Sequence, residues 1–529
     1  MKRLLSCCGW LGVLALGACA YCRDAASVFL GDRIFFIDAD CYSRMTRAKM
    51  LFGDGFRSLG RHAFENYPDG IAPNTTAPLD ALIVLLGRML AWFSSDPLPL
   101  AGALVSPLLG LATLLLLAWW GWSSARPLRW TMLFSAAISP SLAHAFALGR
   151  PDHHSLILAL CAAAALGEVA LWTGGGKPAA ILGGLAAGLA LWTSLYEPLV
   201  LLGLALVLRA AFLRKAMLRG DWICWWLAAG AFFLWGAAFD GLRIHGFQGD
   251  VARYFPLWAA PIGEMQHQPP WALFGDCGWL AAPVPLILIW MALPRTDLSG
   301  LKRKNWPLLA AAVALVALGL LACLQARWTP FFALGFALCL PTALCAVPSR
   351  AAACGIFLIS LWPVATSWDR ALYPDGEAAL AAAENRKESW LLRDAALRLS
   401  GADAAILAPW WVSPAFVYWS GLPAIAGSSH YSLPGTVDSA RFYLAESEAE
   451  AQEILERRKV RWVVAYDPPR ILQTSVPLLQ KAPAGITMAE RIWSRPSSKP
   501  VFLEPAYANE FFKIYKVGPP RTPADEGMN

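Results

Sequence analysis

"RWTMLFSAAISPSLAHAFALGRPDHHSLILALCAAAALGEVALWT" (residues 129–173) joins two apolar runs, 129–148 and 155–173, through a short polar segment. Each run is about 18 residues or longer, the length that a helix needs to cross roughly 30 Å of hydrocarbon. The segment between them carries Arg150, Asp152 and two histidines. This pattern predicts two membrane-spanning helices joined by a loop of titratable side chains.

The composition of the whole chain agrees with that reading. Of 529 residues, 57% are hydrophobic and only 15% are charged, which soluble domains rarely reach. The net charge of +7 reflects Lys and Arg in short loops between apolar runs, where they set orientation in the lipid bilayer and do not imply nucleic acid. The twelve cysteines show neither a metal-binding spacing nor a disulfide framework.

We predict eleven spans from the apolar runs. They lie near 4–21, 98–121, 129–148, 155–173, 178–195, 198–213, 222–239, 277–294, 307–324, 328–346 and 351–368. With the N-terminus inside, the basic loops fall on the cytoplasmic side, as the positive-inside rule requires. These loops include 122–128, 209–220 and 294–305. The same threading places loop 23–97, "GRPDHH", loop 240–276 and everything after 368 outside.

Two further apolar segments, at 79–94 and at the start of the chain, are suited to roles other than an ordinary span. "LDALIVLLGRMLAWFS" (79–94) is interpreted as a helix in the outer interface, because counting it as a span would bring the later basic loops outside. The start of the chain is interpreted as a signal anchor, and a cleaved lipoprotein signal at "LGAC" (16–19) is the alternative.

The composition changes after residue 368. A charged helical stretch is followed by the strand patterns "ADAAILAPWW" (402–411) and "VRWVVAYD" (460–467), with the amphipathic helix "SEAEAQEILERRK" between them. We therefore predict a transmembrane domain over 1–368 and an outer-face α/β domain over 369–529.

Three outer segments carry candidate ligands. Asp38 and Asp40 follow an apolar run, although both side chains are also suited to cap a helix over 42–51. Asp152 and His154 offer an oxygen and a nitrogen ligand at a span boundary, with helix capping by Asp152 as the alternative. Glu264 lies in a proline-flanked segment (256–271) that is either a mobile lid or a merely solvated loop.

Two arginines stand on the same predicted face. Arg327 opens a span, where it either reaches the lipid headgroups or holds an anion or a peptide. Arg150 is suited to a phosphate, and pairing with a lipid headgroup is the alternative. Taken together, Asp40, Asp152, His154 and Glu264 predict an outward-facing metal site for a phosphate-bearing substrate.

These segments resemble those of the oligosaccharyltransferase catalytic subunit, in its single-chain bacterial and archaeal form. The matching segments are "DADCYSRMTRA" with Asp40, the Asp-His-His run with Asp152 and His154, "GEMQ" with Glu264, "RWTPFFAL" with Arg327, and "APWWVSPAFVYWSGLPAIAG" with Trp410 and Trp411. The resemblance covers most of the chain. It implies a multi-span α-helical membrane protein of the class C glycosyltransferase type with about 11–13 spans and a C-terminal outer-face α/β domain.

The resemblance also implies the chemistry. A glycan passes from a polyprenyl-linked phosphate or pyrophosphate donor to an acceptor protein or peptide at an asparagine. The implied ligands of Mn²⁺ or Mg²⁺ are Asp40, Asp152, His154 and Glu264, and the implied catalytic pair is Asp40 and Glu264. Arg327, Trp410 and Trp411 are the implied acceptor contacts. The implied location is the inner membrane of a bacterium, with the active site on the periplasmic side.

One departure affects the acceptor. Val412 stands where the family has the aspartate of its tryptophan-tryptophan-aspartate signature. Two alternatives remain: a polyprenyl-phosphate-sugar glycosyltransferase acting on lipid or polysaccharide, and a transporter or scaffold without chemistry. The second predicts buried charges within spans and needs no outer α/β domain.

Overall fold

The structure is a computed structural model that describes residues 2–54, 59–73, 77–123, 128–213, 220–241, 249–293, 306–399, 404–494 and 500–518. Its helices, in chain order, are α1 (Lys2–Tyr21), α2 (Ala25–Val28), α3 (Ala39–Asp54), α4 (Ala77–Leu90), α5 (Pro97–Ser123), α6 (Arg129–Ile138), α7 (Pro140–Ala145), α8 (His153–Trp172), α9 (Lys177–Thr193), α10 (Tyr196–Leu213), α11 (Gly220–Asp240), α12 (Gly249–Ala259), α13 (Ala272–Cys277), α14 (Pro283–Ala292), α15 (Trp306–Leu324), α16 (Thr329–Leu344), α17 (Arg350–Ser360), α18 (Trp362–Leu372), α19 (Gly376–Ala396), α20 (Ser413–Ser420), α21 (Leu433–Leu444), α22 (Glu448–Arg457), α23 (Pro468–Leu479) and α24 (Met488–Ser494). Its strands are β1 (Phe29–Leu30), β2 (Arg33–Ile34), β3 (Ala405–Leu407), β4 (Val460–Ala465), β5 (Leu503–Ala508) and β6 (Lys513–Val517).

The chain forms two compact units, each built from separate stretches of sequence. The first unit comprises Met1–Val28, Thr75–Leu242 and Gly263–Glu377. The second unit comprises Phe29–Asn74, Arg243–Ile262 and Ala378–Asn529.

The first unit is a bundle of apolar helices. Within the described residues, five helical segments have the length and the hydropathy to cross a membrane: Pro97–Gly121, His153–Trp172, Gly220–Asp240, Trp306–Leu324 and Arg350–Leu372. Three shorter apolar segments accompany them, at Gly9–Tyr21, Lys177–Thr193 and Trp279–Ala292. Every predicted span coincides with a helix or with consecutive helices, and the chain is a multi-pass membrane protein.

Three predicted spans are interrupted where a proline follows the break, and one of them, over 277–294, breaks at Gly278 and continues as α14 from Pro283. The span predicted over 129–148 divides into α6 and α7 at Ser139, whose backbone is extended and whose hydroxyl accepts a hydrogen bond from Leu142 N. Pro140 opens α7, a position at which its missing N–H leaves no helix hydrogen bond unmade. The span predicted over 351–368 likewise divides into α17 and α18, and Pro363 lies in the first turn of α18.

Small residues bring α9 and α11 close together. A Cβ atom on Gly188 of α9 would lie 2.5 Å from the carbonyl oxygen of Ala229 in α11. Apolar helices in lipid gain little from hydrophobic burial against each other, so close backbone approach at small residues supplies much of their packing.

The helix predicted in the outer interface is present as α4. Beyond its end, Trp92 and Phe93 are almost fully exposed, at 87% and 88%. Its position in the interface remains a prediction. The basic loops at 122–128, 209–220 and 294–305 lie wholly or partly outside the described residues.

The second unit contains a four-stranded mixed sheet in the order β3-β4-β6-β5. β3 pairs parallel to β4, whereas β6 is antiparallel to both β4 and β5. The strand patterns at 402–411 and 460–467 are confirmed as β3 and β4, and the amphipathic helix between them is α22. The C-terminal part of the chain is therefore an α/β domain, as predicted.

Arg458 connects residues 66–69 to the C-terminal part of this unit. Its Nε donates to Asp438 Oδ2 at 2.8 Å, and its Nη1 donates to Asn66 Oδ1 at 3.3 Å. Nη1 also lies 3.3 Å from an oxygen of Asp69. A planar guanidinium with several donors can hold distant segments together in this way. The ten cysteines whose side chains are described are all free thiols, which agrees with the absence of a predicted disulfide framework.

Candidate active site

The polar segment before α8 turns sharply into the helix. Gly149 has a φ of +72°, a region that favours glycine, and Asp152 then takes the N-cap position with an extended backbone. The Asp152 carboxylate makes no capping hydrogen bond. Its Oδ1 lies 2.6 Å from His153 Nδ1, and its Oδ2 lies 2.7 Å from His154 Nδ1. Asp152 therefore occupies the N-cap position considered for it, but its carboxylate turns to the histidines and does not cap the helix.

Asp152 is nearly buried, at 5% exposure. Burial raises the pKa of its carboxyl, but the charges and hydrogen bonds of His154 and His153 outweigh burial and hold that pKa well below its usual range. One ligand atom from each of these three residues lies within 4.8 Å of the other two. The site thus brings Asp152 and His154 together, as the sequence predicts, and adds His153.

Arg327 reaches this cluster from the turn before α16. Its Nη2 donates to His154 Nε2 at 2.9 Å and lies 2.6 Å from Glu197 Oε1. Glu197, in the first turn of α10, is fully buried and lies 3.5 Å from His154 Nε2. Arg327 therefore points into the cluster, where it joins an imidazole to a buried carboxylate.

Glu264 approaches the same arginine from a short 3-10 turn, Gly263–Met265. Its Oε1 lies 3.8 Å from Arg327 Nη2, and its side chain is 36% exposed. The segment is held by backbone hydrogen bonds from Ala326 N to Gln266 O at 3.0 Å and from Gln268 N to Cys323 O at 3.0 Å. In this structure the segment is docked against the junction of α15 and α16, and its mobility remains a prediction.

Arg150 lies on the other side of Asp152. Its Nη2 is 3.6 Å from Asp152 Oδ2, and its Nη1 contacts His144 Nε2. The side chain is largely buried, so it is directed toward the cluster and not toward bulk solvent. A guanidinium beside an Asp-His-His cluster supplies donors for an anionic group.

Asp38 and Asp40 lie in the second unit and differ in their local roles. Asp38 Oδ1 accepts a hydrogen bond from Cys41 N at 2.9 Å, which is the expected capping interaction at the start of α3. Asp40 lies inside the first turn of α3 and is exposed. Asp38 is thus the capping residue of the two, and Asp40 is left as the candidate ligand.

Trp410 and Trp411 also belong to the second unit. Their rings pack edge to face with centroids 5.8 Å apart, and Trp258 also meets Trp410 edge to face, with centroids 5.6 Å apart. Val412 is buried and precedes α20, where it makes no side-chain cap. The tryptophan pair forms an aromatic surface beside an apolar position.

The sequence prediction omitted His153 and Glu197. His153 is part of the Asp-His-His run, and its side chain takes part because the start of α8 turns both imidazoles to one carboxylate. Glu197 had a detectable signal: a carboxylate in "TSLYEPLVLLG" opens an apolar helix, and ionisable residues inside or beside spans commonly mark functional sites.

The arrangement of the helices and the C-terminal sheet matches a known class of membrane-protein fold. The chain has the fold of the class C membrane glycosyltransferases, with a small sheet domain at its C-terminal end. No protein-family model matches the sequence, and no curated protein matches it either.

Among solved structures, the chain is similar to the oligosaccharyltransferase of Archaeoglobus fulgidus tethered with an acceptor peptide. The TM-score is 0.65 at 14% identity, covering 90% of this chain and 72% of the other. The same enzyme in complex with zinc and sulfate gives 0.64 at 14% identity, with coverage of 96% and 73%. ArnT from Cupriavidus metallidurans bound to undecaprenyl phosphate gives 0.52 at 12% identity, with coverage of 97% and 99%. The predicted likeness to oligosaccharyltransferases is confirmed at the level of the fold.

Proposed function

We propose that this chain is a membrane glycosyltransferase that transfers a glycan from a polyprenyl phosphate or pyrophosphate donor to a protein asparagine. The observation that carries the proposal is the buried Asp152–His153–His154 cluster beside Arg327 and Glu264. Carboxylate, imidazole and guanidinium groups in one place suit a cation and an anionic leaving group. In this proposal the site faces the periplasmic side of a bacterial inner membrane.

The cluster suits a divalent cation, Mn²⁺ or Mg²⁺. Carboxylate oxygens are ligands that both ions accept, and imidazole nitrogens are ligands for transition metals. Asp152, His154 and Glu264 are the proposed ligands here, and the resemblance adds Asp40. The A. fulgidus enzyme in complex with zinc and sulfate supports the assignment. A bound cation neutralises charge on the departing phosphate.

A further feature of the first unit is suited to an apolar chain, although its lining includes none of the residues of the Asp-His-His cluster. An apolar cavity of about 440 Å³ lies among its helices. Its lining includes Leu201, Leu204, Ala314, Leu318 and Leu338. This volume is in the range of small-molecule sites, about 300–1,000 Å³. The undecaprenyl phosphate bound by ArnT supports a polyprenyl-linked donor. In this proposal Arg150, which lies beside Asp152, contacts the phosphate of that donor.

The acceptor is assigned from the remaining residues. The resemblance to oligosaccharyltransferases implies the roles in this proposal: Asp40 and Glu264 would hydrogen-bond the attacking amide, and Arg327, Trp410 and Trp411 would contact the acceptor chain. The acceptor peptide on the A. fulgidus enzyme supports a peptide acceptor. Because Arg327 already pairs with Glu197, its contact with an acceptor requires the guanidinium to share its donors.

A second candidate is transfer of a sugar from a polyprenyl phosphate to a lipid or polysaccharide. It is favoured by the likeness to ArnT, which covers 97% of this chain and 99% of that one. The buried Val412 also favours it, since the aspartate of the tryptophan signature is absent.

The experiment compares cells that carry the gene, cells that lack it, and cells complemented with Asp152→Asn or with Glu388→Gln. Glu388 is the matched control, because it is a largely buried carboxylate paired with an arginine in the second unit. Mass spectrometry then measures glycopeptides of outer-face proteins and, in parallel, glycolipids and polysaccharide.

Glycopeptides that disappear in the deletion and with Asp152→Asn, but not with Glu388→Gln, support asparagine transfer. Unchanged glycopeptides together with a missing lipid or polysaccharide sugar support the second candidate. If both fractions are identical in all four strains, the chain is not a glycosyltransferase for either acceptor, and a transporter or scaffold role takes precedence.

A further inference from the structure

Glu197 is a buried acid that the proposed reaction does not use. It lies in the first turn of α10, with no side-chain exposure, and Ser194 Oγ donates to its Oε2 at 3.2 Å. Its other oxygen, Oε1, lies 2.6 Å from Arg327 Nη2. Burying an ionised carboxylate costs free energy unless a partner compensates its charge, and for Glu197 that partner is Arg327.

Three atoms from three helical segments meet at this point. Arg327 Nη2, His154 Nε2 and Glu197 Oε1 form a triangle with separations of 2.6, 2.9 and 3.5 Å. The guanidinium retains its positive charge at any accessible pH. A fixed positive charge therefore touches the imidazole that the proposed function assigns to a divalent cation.

Both ring nitrogens of His154 are engaged. Nδ1 faces Asp152 at 2.7 Å, and Nε2 accepts from Arg327 at 2.9 Å. For a cation to bind Nε2, the arginine must move aside, and like charges at such short range oppose each other. When Arg327 leaves the imidazole, Glu197 can still hold the guanidinium as its ion-pair partner. The negative charge of Glu197 also offsets the positive charge of the guanidinium.

The charges around the cluster agree with this role. With both histidines neutral, the form in which an imidazole binds a metal, Asp152, Glu197 and Glu264 supply three negative charges and Arg150 and Arg327 supply two positive charges, which leaves one net negative charge. Without Glu197 the two signs would balance, and a dication would enter a site with no net attraction.

We propose that Glu197 is a positioning residue that neutralises and retains Arg327, and so allows a divalent cation to bind at Asp152 and His154. Glu197 Oε1 lies 2.6 Å from Arg327 Nη2 and 3.5 Å from His154 Nε2, so the arginine is its nearer partner. It acts through the arginine and is not a ligand. The inference rests on the metal site of the proposed function.

The test measures Mn²⁺ affinity of the full chain purified in detergent, using the electron paramagnetic resonance signal of free Mn²⁺. The variants are Glu197→Gln, Arg327→Met and the double variant, with Glu388→Gln as the matched control. Glu388 also accepts from an arginine and from a tyrosine hydroxyl, but it lies in the second unit. Thermal unfolding of each variant checks that it is folded.

Glu197→Gln is expected to weaken Mn²⁺ binding about tenfold or more, because it leaves the charge of Arg327 uncompensated next to the cation. The double variant restores the affinity to within about threefold of the parent, because removal of the guanidinium removes the need for Glu197. Glu388→Gln binds as the parent does. Arg327→Met alone binds at least as tightly as the parent, which tests the same idea if Glu197→Gln fails to fold.

Unchanged affinity in a folded Glu197→Gln variant overturns this inference while the metal site stands. Loss of affinity that Arg327→Met does not restore also overturns it, since Glu197 would then act without the arginine. A parent protein that binds no Mn²⁺ overturns the metal site of the proposed function, and this inference with it.

Discussion

Glu65 is a fully buried acid in the second unit. Ser43 Oγ donates to its Oε1, and His62 Nε2 lies 3.5 Å from the same oxygen. Burial raises the pKa of the Glu65 carboxyl, but the hydrogen bonds and charge of His62, with Ser43 and Arg47, outweigh it, so the pKa is below its usual value. Folding therefore favours the ionised form of this side chain.

A lowered pKa in the folded state stabilises the protein above the unfolded pKa of about 4.3, and this stabilisation is lost as the pH falls through the lower folded pKa. We expect Glu65→Gln to destabilise the chain by roughly 1–3 kcal/mol at pH 6, and by less as the pH drops below about 4. Thermal unfolding of parent and variant at pH 6 and pH 3.5 measures the difference. A gap in melting temperature that is as large at pH 3.5 as at pH 6 contradicts the assignment.

Val412 bears on how the acceptor is recognised. In the oligosaccharyltransferase signature that position is an aspartate, which accepts a hydrogen bond from the Ser or Thr hydroxyl two residues after the asparagine. The buried Val412 side chain accepts no hydrogen bond. In an enzyme with the aspartate, a peptide that lacks the hydroxyl leaves the carboxylate unpaired, which costs roughly 1–3 kcal/mol. With valine at this position that penalty is absent. We expect relaxed dependence on the hydroxyl, or a different acceptor.

Transfer rates to matched peptides with Thr, Ala and Val at that position measure this dependence. A Thr preference above roughly a hundredfold corresponds to about 2.7 kcal/mol. A preference of that size would mean that another group has replaced the missing aspartate.

Individual site residues were predictable when one short stretch contained them, and not otherwise. Asp152 and His154 could be paired from the sequence because they are two positions apart at a span boundary. The link from Glu197 to Arg327 joins helices separated by more than a hundred residues, and local periodicity carries no information about such a contact. The inward direction of Arg327 was unpredictable for the same reason.

Helices were located well from hydropathy, whereas their interruptions were not. An average over an apolar window is insensitive to a single break, so the spans at 129–148 and 351–368 were predicted as continuous. The prolines at positions 140 and 363 were the available signal, because proline removes a backbone donor and favours a helix start. That signal is not decisive, since α5 continues through Pro107 and α16 through Pro341.

The close packing of α9 against α11 depends on the small residue at position 188. Gly188→Ala is expected to destabilise the chain by about 1–3 kcal/mol, because its Cβ would lie 2.5 Å from the Ala229 carbonyl oxygen. Gly203→Ala in α10 is the matched control, since no atom lies within 4 Å of its added Cβ. That control gains up to about 1 kcal/mol from helix propensity. Thermal unfolding compares the two, and equal melting temperatures would mean that α9 and α11 are not packed as described.

At the scale of the molecule, the two units draw on distant parts of the chain. The second unit includes Phe29–Asn74 and Arg243–Ile262 in addition to the C-terminal residues. Arg458 and Asn66 are almost four hundred residues apart, and yet they share a hydrogen bond. Composition changes locate the start of a soluble segment, but they do not reveal which outer loops fold with it. The prediction of a domain division at 368 used composition alone.

A cation that binds only the folded chain raises its stability by mass action, about 2.7 kcal/mol at a hundred times the dissociation constant. We therefore expect Mn²⁺ to raise the melting temperature of the parent in detergent, and expect Asp152→Asn and His154→Gln to abolish the rise. Excess chelator returns the parent to its starting value. Asp40→Asn tests the ligand that only the resemblance implies.

Glu65→Gln is the control for this experiment, because it alters a buried acid that is not among the proposed ligands. Glu65→Gln lowers the melting temperature in the absence of Mn²⁺. The stabilisation that Mn²⁺ adds should nevertheless match that of the parent, because the free energy contributed by a ligand depends on its affinity and not on the starting stability of the protein. An equal increment in Asp152→Asn would show that Mn²⁺ binds elsewhere on the chain. The Asp-His-His cluster would then be a structural start to α8, and the proposed chemistry would lose its cation.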